Sequence, residues 1–383
     1  MRVAIEGQRL FRAKKHGMDF VALELVKNIQ KLDLENEYVV FVKPDEDVCL
    51  QSTENMKIVE LGGGPYPTWE QHALPKAVKK YKCDLLHCTS NTAPLYNPVP
   101  MIVTLHDIFY LENVSLFRKG FTAYQKFGNM YRRYVVPGVV KRAKRVITVS
   151  RSEKNRIIHF FHLKDEQVSV VYNGVSLIFK PVTDKTTLEE IRMTYKLPEN
   201  FIFFLGNTDP KKNTRGVVTA FAKYIRESKS QISMVIADYP KEDLERILQE
   251  IHDPDIMKYI HRLDYIKNTD LPGIYTMADL FLYPSFRESF GIPILEAMAC
   301  GTPVITSNVF SMPEVAGDAA LLVDPTNPFD LTRGIHKVIS EPDFSKSLSE
   351  KGLVQATRFS WAKMAKDYME IYKEIVEGNA NKM

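Results

Sequence analysis

Two glutamates eight positions apart, Glu288 and Glu296, give the strongest indication of chemistry in this sequence. Glu288 follows an apolar run that ends at Tyr283, and Glu296 would fall in the first turn of a helix that begins near Pro293. A carboxylate can accept two hydrogen bonds from a vicinal diol, and a nucleotide sugar carries such diols on its ribose and its hexose. A strand, loop and helix in this order also suit a diphosphate, because backbone N–H groups and the positive helix end point at the loop. Without further context, two such glutamates are more often a helix-end acid and a solvated loop charge.

Two basic side chains lie at similar places, next to the carboxyl ends of predicted strands. Lys212 lies between the apolar run Phe201–Leu205 and the amphipathic stretch Thr214–Arg226, where a lysine can bind phosphate or can simply be solvated. His106 follows the apolar run Ile102–Leu105 and can face a ligand or cap its own loop. The residues alone leave both alternatives open for each side chain.

Short apolar runs alternate with amphipathic stretches along the chain, a pattern typical of parallel sheets that helices cover on both faces. The predicted strands are Val3–Ile5, Tyr38–Val42, Lys57–Leu61, Leu85–His87, Ile102–Leu105, Val146–Val149, Val168–Val171, Phe201–Leu205, Ser233–Ala237, Ile260–Leu263, Leu280–Tyr283, Val304–Thr306 and Leu321–Val323. The predicted helices are Phe20–Leu32, Glu70–Lys80, Thr122–Lys144, Arg151–Phe160, Thr214–Arg226, Lys241–Ile251, Pro293–Cys300, Pro328–Ile339 and Trp361–Glu377.

The alternation pauses once, between the turn-forming pair Asn173-Gly174 and Pro181. We therefore predict an α/β protein with two Rossmann-like, doubly wound domains, residues 1–178 and 179–360. The last helix, within residues 361–383, is expected to pack back on the first domain. Ligands bind beyond the carboxyl ends of the strands in such sheets, so we expect the two domains to face each other across a cleft.

The segment 283–305 strongly resembles the Glu-x7-Glu signature of glycosyltransferase family 4, the retaining enzymes of the GT-B fold. The resemblance continues, in the same order as in the family, at residues 68–71, 104–107, 171–175, 206–213 and 311–325. It implies a GT-B enzyme with an acceptor-side first domain and a donor-binding second domain. The implied reaction moves a hexose from a nucleoside-diphosphate sugar, GDP-mannose or a UDP-hexose, to an acceptor hydroxyl. We expect no cofactor, since the nucleotide sugar is a co-substrate, and we also expect no divalent metal.

The resemblance also implies roles for single residues. Glu288 would bind hydroxyls of the donor hexose and stabilise positive charge at the anomeric carbon, and Glu296 would hold the ribose diol. Lys212 would bind the phosphates, and His106 would face the donor sugar. The implied catalytic residues are thus His106, Lys212 and Glu288. The implied donor-binding residues are Gly17, Asn207, Thr208, Lys211, Phe290, Gly291, Ile292 and Glu296. Trp69 and Glu70 are expected beside the acceptor.

The sequence departs from the family pattern after Gly206. Asn207 and Thr208 stand where many family members have an arginine that completes a two-cation phosphate clamp. Lys211 or Arg215 would compensate, or the two polar side chains would donate neutral hydrogen bonds. The departure leaves open a catalytically silent subunit that binds a nucleotide sugar. A GT-B epimerase or phosphorylase fits the spacing of the three site residues less well.

Composition excludes several other classes of protein. The chain has 383 residues, of which 45% are apolar and 26% charged, as in an ordinary soluble protein with two cores. The net charge of +4 is too small to make nucleic acid the expected partner. None of the four cysteines, Cys49, Cys83, Cys88 and Cys300, belongs to a Cys-x-x-Cys pair. We interpret them as apolar core thiols rather than metal ligands, which favours a reducing, cytoplasmic compartment.

A basic stretch, residues 113–152, contains ten lysines and arginines and no acidic residue, with aromatic residues interleaved. It fits either a solvated helix face over an aromatic core or a surface attracted to anionic lipid headgroups or to a phosphate-bearing acceptor. Neither a signal peptide nor a transmembrane helix is expected, because the chain opens on a strand-like run and no long uncharged apolar run occurs. The expected partners are therefore a nucleotide-sugar donor, a saccharide or lipid-linked saccharide acceptor and, at the inner membrane face, an anionic bilayer contacted peripherally.

Overall fold

The computed structural model describes residues 1–112 and 123–380. The chain forms two compact units, one made of residues 1–174 with the C-terminal residues from Trp361 onward, and one made of Val175–Ser360. The chain thus leaves the first unit after Gly174 rather than after residue 178. The first ten residues of the basic stretch and the start of the predicted helix Thr122–Lys144, residues 113–122, lie outside the described residues.

The first unit is built on a parallel sheet. Its strands are β1 (Arg2–Glu6), β2 (Glu37–Val42), β3 (Met56–Glu60), β4 (Leu85–Cys88), β5 (Met101–Thr104), β6 (Arg145–Thr148) and β7 (Val168–Val170). They are arranged in the order β3-β2-β1-β4-β5-β6-β7. The order reverses between β1 and β4, whose register pairs Glu6 with Cys88. A reversal of this kind opens a crevice at the carboxyl ends of the two strands, so Glu6 and the residues after Cys88 lie at the switch point of this sheet.

The second unit repeats this plan. Its strands are β8 (Phe201–Leu205), β9 (Ser233–Ala237), β10 (Ile260–Leu263), β11 (Leu280–Tyr283), β12 (Val304–Ser307) and β13 (Leu321–Val323). All pairs are parallel, in the order β10-β9-β8-β11-β12-β13. The order reverses between β8 and β11. The loops that follow Leu205 and Tyr283 therefore meet at the switch point, and the prediction of two doubly wound parallel sheets is confirmed.

Helices cover both sheets. They are α1 (Gly17–Leu32), α2 (Tyr66–Thr68), α3 (Leu74–Lys80), α4 (Phe109–Glu112), α5 (Ala123–Arg142), α6 (Arg151–Phe161), α7 (Lys185–Tyr195), α8 (Thr214–Ser228), α9 (Lys241–Glu250), α10 (Leu271–Met277), α11 (Ile292–Ala299), α12 (Met312–Ala316), α13 (Pro328–Ser340), α14 (Pro342–Ala356) and α15 (Trp361–Ala380). A π-helical turn, Trp69–Ala73, joins α2 to α3.

The strands are held by apolar burial on both faces. In β8, Ile202 and Phe204 pack with residues of α8 such as Val217 and Phe221, and all four are at most 1% exposed. Each large apolar side chain buried in this way contributes roughly 1.5–3 kcal/mol. These cores fix where the strands end, and hence where the loops that follow them begin.

A buried polar network ties α15 to the first sheet. The hydroxyl of Tyr372 lies 2.7 Å from Nδ1 of His87, and Nε2 of the same ring lies 2.8 Å from Oγ1 of Thr104. Tyr368 adds a third contact, with its hydroxyl 2.9 Å from that oxygen. Burial lowers the pKa of His87 to about 3, so the imidazole is neutral. The last helix is thereby bonded to β4 and β5.

Candidate functional site

Lys212 and Glu288 meet at the switch point of the second sheet. The ammonium of Lys212 donates to Oε1 of Glu288 at 2.7 Å and to the hydroxyl of Tyr283 at 2.7 Å. It also lies 4.7 Å from the centre of the Tyr283 ring. The lysine and glutamate side chains are 20% and 11% exposed. Two residues predicted from the sequence are therefore in direct contact, together with a tyrosine that was predicted only as the end of a strand.

The backbone around Lys212 is held rigidly. Asp209 caps a 3-10 turn, Pro210–Lys212, by accepting a bond from the amide of Lys211 at 3.1 Å. Asn213 adopts a left-handed conformation with φ of 59°. Its side-chain amide nitrogen, Nδ2, donates to the carbonyls of Pro284 at 3.1 Å and Pro325 at 2.8 Å. The side chain of Lys212 thus extends from a fixed main chain.

The loop that carries Glu288 is fixed by a serine and a glycine. The hydroxyl of Ser311 donates to the carbonyls of Glu288 at 2.8 Å and Phe290 at 3.0 Å. Gly291 has φ of 104°, a conformation that glycine adopts without strain, and it precedes the first residue of α11, Ile292. These bonds hold the main chain of Glu288, Phe290 and Gly291 at the amino end of the helix.

Glu296 lies in the second turn of α11, not in its first turn as predicted. The helix begins at Ile292, one residue before Pro293, because the left-handed Gly291 ends the loop. The hydroxyl of Tyr275 lies 3.3 Å from Oε2 of Glu296. Burial raises the pKa of Glu296 to about 7, and the bond from Tyr275 opposes that rise. This carboxyl is therefore an acid that changes charge near neutral pH.

Asn207 and Thr208 line a cavity whose lining does not include Lys212 or Glu288. The cavity has a volume of about 650 Å³ and is also lined by Arg215, whose Nη2 is 3.5 Å from Oε2 of Glu250. The Asn207 side chain accepts a bond from the amide of Asp209 at 2.8 Å. Lys211 is exposed, and its carbonyl accepts a bond from the amide of Phe286 at 2.7 Å. Among the described residues, no hydrogen bond or ion pair joins the side chains of Asn207, Thr208 or Lys211 to the pair.

His106 lies in the first unit, just beyond β5. Its Nε2 is 3.0 Å from the carbonyl of Thr89, and its amide donates to Oδ1 of Asn91 at 2.6 Å. A carbonyl only accepts, so Nε2 carries the hydrogen. Burial lowers the pKa of His106, so the ring is neutral and Nδ1 is left as a hydrogen-bond acceptor. Asn91 holds this arrangement from a left-handed conformation with φ of 65°.

Glu6 joins the two loops at the switch point of the first sheet. Its carboxyl accepts bonds from the amide of Gln8 at 2.9 Å, the amide of Thr89 at 3.3 Å and the hydroxyl of Thr89 at 3.2 Å. Burial raises the pKa of Glu6. Because Thr89 also bonds His106, the carboxyl at the end of β1 fixes the loop that orients the imidazole.

Gly17, the first residue of α1, has open space where a Cβ would lie.

Glu70 stands at the centre of a second buried cluster, on the π-helical turn. Its carboxyl accepts hydrogen bonds from the hydroxyls of Thr92 and Tyr131 and, at 2.7 Å, from the hydroxyl of Tyr66. The side-chain amide of Gln71 donates to it at 3.0 Å. Burial raises its pKa. Trp69, expected beside the acceptor, is instead fully buried in the core and donates to the carbonyl of Leu61.

The described part of the basic stretch presents apolar side chains to solvent. On α5, Phe127, Met130 and Tyr134 are 50%, 55% and 77% exposed. Arg133, the cation next to Tyr134 in the sequence, is hydrogen-bonded: its Nε donates to the carbonyl of Tyr110 at 3.0 Å. Of the two alternatives that the sequence left open for this stretch, the aromatic core therefore does not include Phe127 or Tyr134.

Residues 1–112 and 123–380 contain neither a candidate membrane span nor a candidate metal site. None of the helices there is long and apolar enough to cross a bilayer. No group of three His, Cys, Asp or Glu side chains there is placed to hold a metal ion. The four cysteines are free thiols, of which Cys83, Cys88 and Cys300 are buried.

Comparison with known families gives two matches that lie one after the other along the chain. The model of the family described as "Glycosyltransferase Family 4" matches residues 16–178. The model described as "Glycosyl transferases group 1" matches residues 189–354, which include Lys212, Glu288 and Glu296.

Curated relatives include two mannosyltransferases of Escherichia coli. The chain is 30% identical over 231 residues to O-antigen chain mannosyltransferase B, an alignment that covers 60% of this chain and 61% of the relative. It is 27% identical over 242 residues to serotype-specific mannosyltransferase WbdA, covering 62% of this chain and 30% of the relative. The chain thus matches less than two thirds of the length of each of these relatives.

Solved structures show the same fold. Sucrose-phosphate synthase from Thermosynechococcus elongatus superimposes with a TM-score of 0.76 at 18% identity, covering 98% of this chain and 99% of that one. HepE of Anabaena, solved in complex with UDP and glucose, gives a TM-score of 0.72 at 19% identity, covering 98% and 100%. The fold of this chain is therefore that of the GT-B glycosyltransferases.

Proposed function

We propose that this chain, which belongs to the glycosyltransferases of family 4 and group 1, transfers a hexose from a nucleoside-diphosphate sugar to an acceptor hydroxyl with retention at the anomeric carbon. The proposal rests on one observation, the contact between Lys212 and Glu288 at the switch point of the second sheet. Glu296, on the helix that follows the Glu288 loop, supplies a further carboxylate for the ribose diol. His106 and Gly17, in the first unit, keep their implied roles as predictions.

The charges at this switch point match the needs of such a reaction. Negative charge grows on the diphosphate as the bond to the anomeric carbon breaks, and Lys212 would stabilise it together with the backbone N–H groups near Gly291. Each such donor can contribute roughly 10²-fold in rate. Positive charge grows at the anomeric carbon, and the Glu288 carboxylate would stabilise it while holding hexose hydroxyls.

The atoms balance without a dedicated nucleophile. The bond between the anomeric carbon and the diphosphate oxygen breaks, and the acceptor oxygen bonds the same face of that carbon. The acceptor proton passes to the departing phosphate oxygen. The products are a nucleoside diphosphate and a glycoside of unchanged anomeric configuration.

The relatives suggest which donor to test first. Two relatives from Escherichia coli are named mannosyltransferases, one of the O-antigen chain, which favours GDP-mannose and a saccharide or lipid-linked saccharide acceptor of surface polysaccharide assembly. The solved structure of HepE contains UDP and glucose, which keeps a UDP-hexose as the second donor to test. No metal or other cofactor is invoked in either case.

A peripheral contact with an anionic membrane forms a separate part of the proposal. Exposed Phe127, Met130 and Tyr134 lie on α5 among lysines and arginines, a combination that favours an interface of anionic lipid. Flotation with liposomes should show binding that increases with the fraction of anionic lipid. Binding that is independent of lipid charge would contradict the electrostatic part.

Thermal shift measurements with nucleotides and nucleotide sugars would test the donor site first. A ligand at a hundred times its Kd stabilises the folded state by roughly 2.7 kcal/mol. We expect one nucleoside diphosphate, or its sugar, to stabilise the parent protein but not Lys212→Ala or Glu296→Ala. A transfer assay then separates an enzyme from a silent subunit, since the latter would bind the nucleotide and transfer nothing.

A further inference from the structure

The Lys212–Glu288 pair joins two side chains that the donor proposed above would need separately. Lys212 would bind the diphosphate and Glu288 the hexose, yet here each is the other's partner at 2.7 Å. Both side chains are mostly buried, at 20% and 11% exposed. Removing one partner of such a pair leaves a charge with little solvent to replace it. A diphosphate would therefore compete with Glu288 for the ammonium of Lys212, which now donates to Glu288 and Tyr283.

The exchange is confined to side chains, because both main chains are held. The side chain of Asn213, the residue after Lys212, donates to the carbonyls of Pro284 and Pro325. The hydroxyl of Ser311 donates to the carbonyl of Glu288. The hydroxyl and ring of Tyr283 keep the ammonium at the switch point in either arrangement. Rotation of the lysine towards a diphosphate thus leaves the main chain of Glu288 in place.

The two ligands of the reaction differ in what they offer that carboxylate. A nucleoside diphosphate brings only acceptors to this point, so it takes Lys212 and leaves Glu288 unpaired next to negative phosphate oxygens. A nucleotide sugar takes Lys212 in the same way, but its hexose hydroxyls donate to Glu288. Only the intact donor satisfies both members of the pair.

We propose that the Lys212–Glu288 ion pair makes the site select the intact nucleotide sugar over the nucleoside diphosphate product, with Glu288 as the specificity-determining residue. This inference rests on the proposed function of the same site. The pair re-forms once the hexose has been transferred, which expels the diphosphate. Tyr283 is a positioning residue that keeps Lys212 within reach of both partners.

Calorimetric titration of the full chain with GDP, UDP, GDP-mannose and UDP-glucose, without acceptor, tests this inference. Glu288→Gln removes the charge that competes for Lys212 and keeps the shape of the side chain. The nucleoside diphosphate that binds the parent should bind this variant about tenfold more tightly. The matching nucleotide sugar should gain less, so the ratio of the two Kd values should fall.

Glu296→Gln is the matched control, because Glu296 has no contact with Lys212 among the described residues. It should weaken binding of the same diphosphate, since its proposed partner is the ribose. Tighter binding in both variants would show a general effect of lost negative charge and would overturn the inference. If Glu288→Gln does not fold, Glu288→Asp shortens the side chain at constant charge and should tighten diphosphate binding by a smaller factor.

The failures of the two proposals are distinguishable. Diphosphate binding that is unchanged or weaker in Glu288→Gln overturns the selection role and leaves the donor site standing. If none of the four probes binds the parent, the proposed function fails and the inference fails with it.

Discussion

The two sheets share the same strand order around their switch points, but the contacts that join the loops there differ in kind. In the first unit, the carboxyl of Glu6 bonds the amide and hydroxyl of Thr89, and both residues are at most 3% exposed. In the second unit, Lys212 and Glu288 form an ion pair with side chains 20% and 11% exposed. The first contact joins a buried acid of raised pKa to neutral groups, whereas the second joins opposite charges within reach of solvent.

Switch points of the same topology can therefore serve two purposes, the orientation of a side chain and the exchange of a contact for a ligand. Buried hydrogen bonds leave polar groups unsatisfied when they break, so the first switch point is fixed and orients His106. A ligand can replace each partner of the ion pair, with phosphate oxygens for Lys212 and hydroxyls for Glu288, so the second switch point is suited to exchange. Breaking the first contact should therefore affect stability, and breaking the second should affect binding and turnover.

The largest expected effect is on turnover, at the second switch point. Lys212→Ala should lower kcat/KM for transfer at least ~100-fold, because loss of one donor to a developing charge costs roughly 10²–10³ in rate. Steady-state kinetics with the preferred nucleotide sugar measures this. Lys211→Ala, which alters the exposed neighbouring side chain, should cause a smaller loss, because no hydrogen bond or ion pair joins Lys211 to Glu288 or Tyr283 among the described residues. An equal loss in both variants would show that the phosphate contact is shared, and would contradict the assignment to Lys212 alone.

The next effect is on stability, at the first switch point. Glu6→Ala should lower the free energy of unfolding by ~2–3 kcal/mol, because the amides of Gln8 and Thr89 lose a buried acceptor. Glu6→Gln, which keeps one carbonyl oxygen, should lose less. Both tryptophans, Trp69 and Trp361, belong to the first unit, so their fluorescence during urea denaturation follows this change. If Glu6→Ala had the same free energy of unfolding as the parent, the first switch point would not be a fixed structural contact, and the contrast between the two switch points would be wrong.

A further expected effect is a pH dependence that arises at Glu296. Its pKa of about 7 in the folded protein lies above the ordinary value of 4.5, so the folded state holds a proton that the unfolded state loses. The free energy of unfolding should therefore fall as pH rises from about 4.5 to 7, and should fall less in Glu296→Gln.

The same titration should affect nucleotide binding in the opposite direction, because a diol binds the carboxylate better than the acid. The affinity for the preferred nucleoside diphosphate should increase about tenfold between pH 6 and pH 8, as the ionised fraction of Glu296 rises. Titration calorimetry at several pH values measures this, and Glu296→Gln corrects for ionisation of the nucleotide itself. Identical pH profiles in the parent and Glu296→Gln would show that Glu296 does not hold the ribose.

The strands were predictable from the sequence because buried parallel strands are continuous apolar runs. Every predicted strand is present, and β8 has the predicted bounds, Phe201–Leu205. A mostly exposed helix and a very short one were missed: Ile191 is the one buried residue of α7, and α12 spans only Met312–Ala316. An amphipathic pattern carries little information when most of the helix faces solvent or when the helix has barely one turn.

The site was predictable only as far as local spacing reaches. Glu288 and Glu296 lie in one short segment, so their spacing could be recognised, but the partners of the site residues come from distant positions. Lys212 is 71 positions from Tyr283 and 76 from Glu288, and the reversed strand order between β8 and β11 is what brings them together. The Glu6–Thr89 contact, across 83 positions, has the same origin.

The π-helical turn Trp69–Ala73 has a consequence for how this chain can change by insertion and deletion. A turn of this kind holds one residue more than an α-helical turn. If one residue were deleted while α3 stayed packed through Leu74 and Val78, the preceding residues would rotate by about 100° about the helix axis. The carboxyl of Glu70 would then leave the hydroxyls of Thr92 and Tyr131. Substitution of the exposed His72 should be tolerated where its removal is not, so the length of this segment is under tighter constraint than its composition.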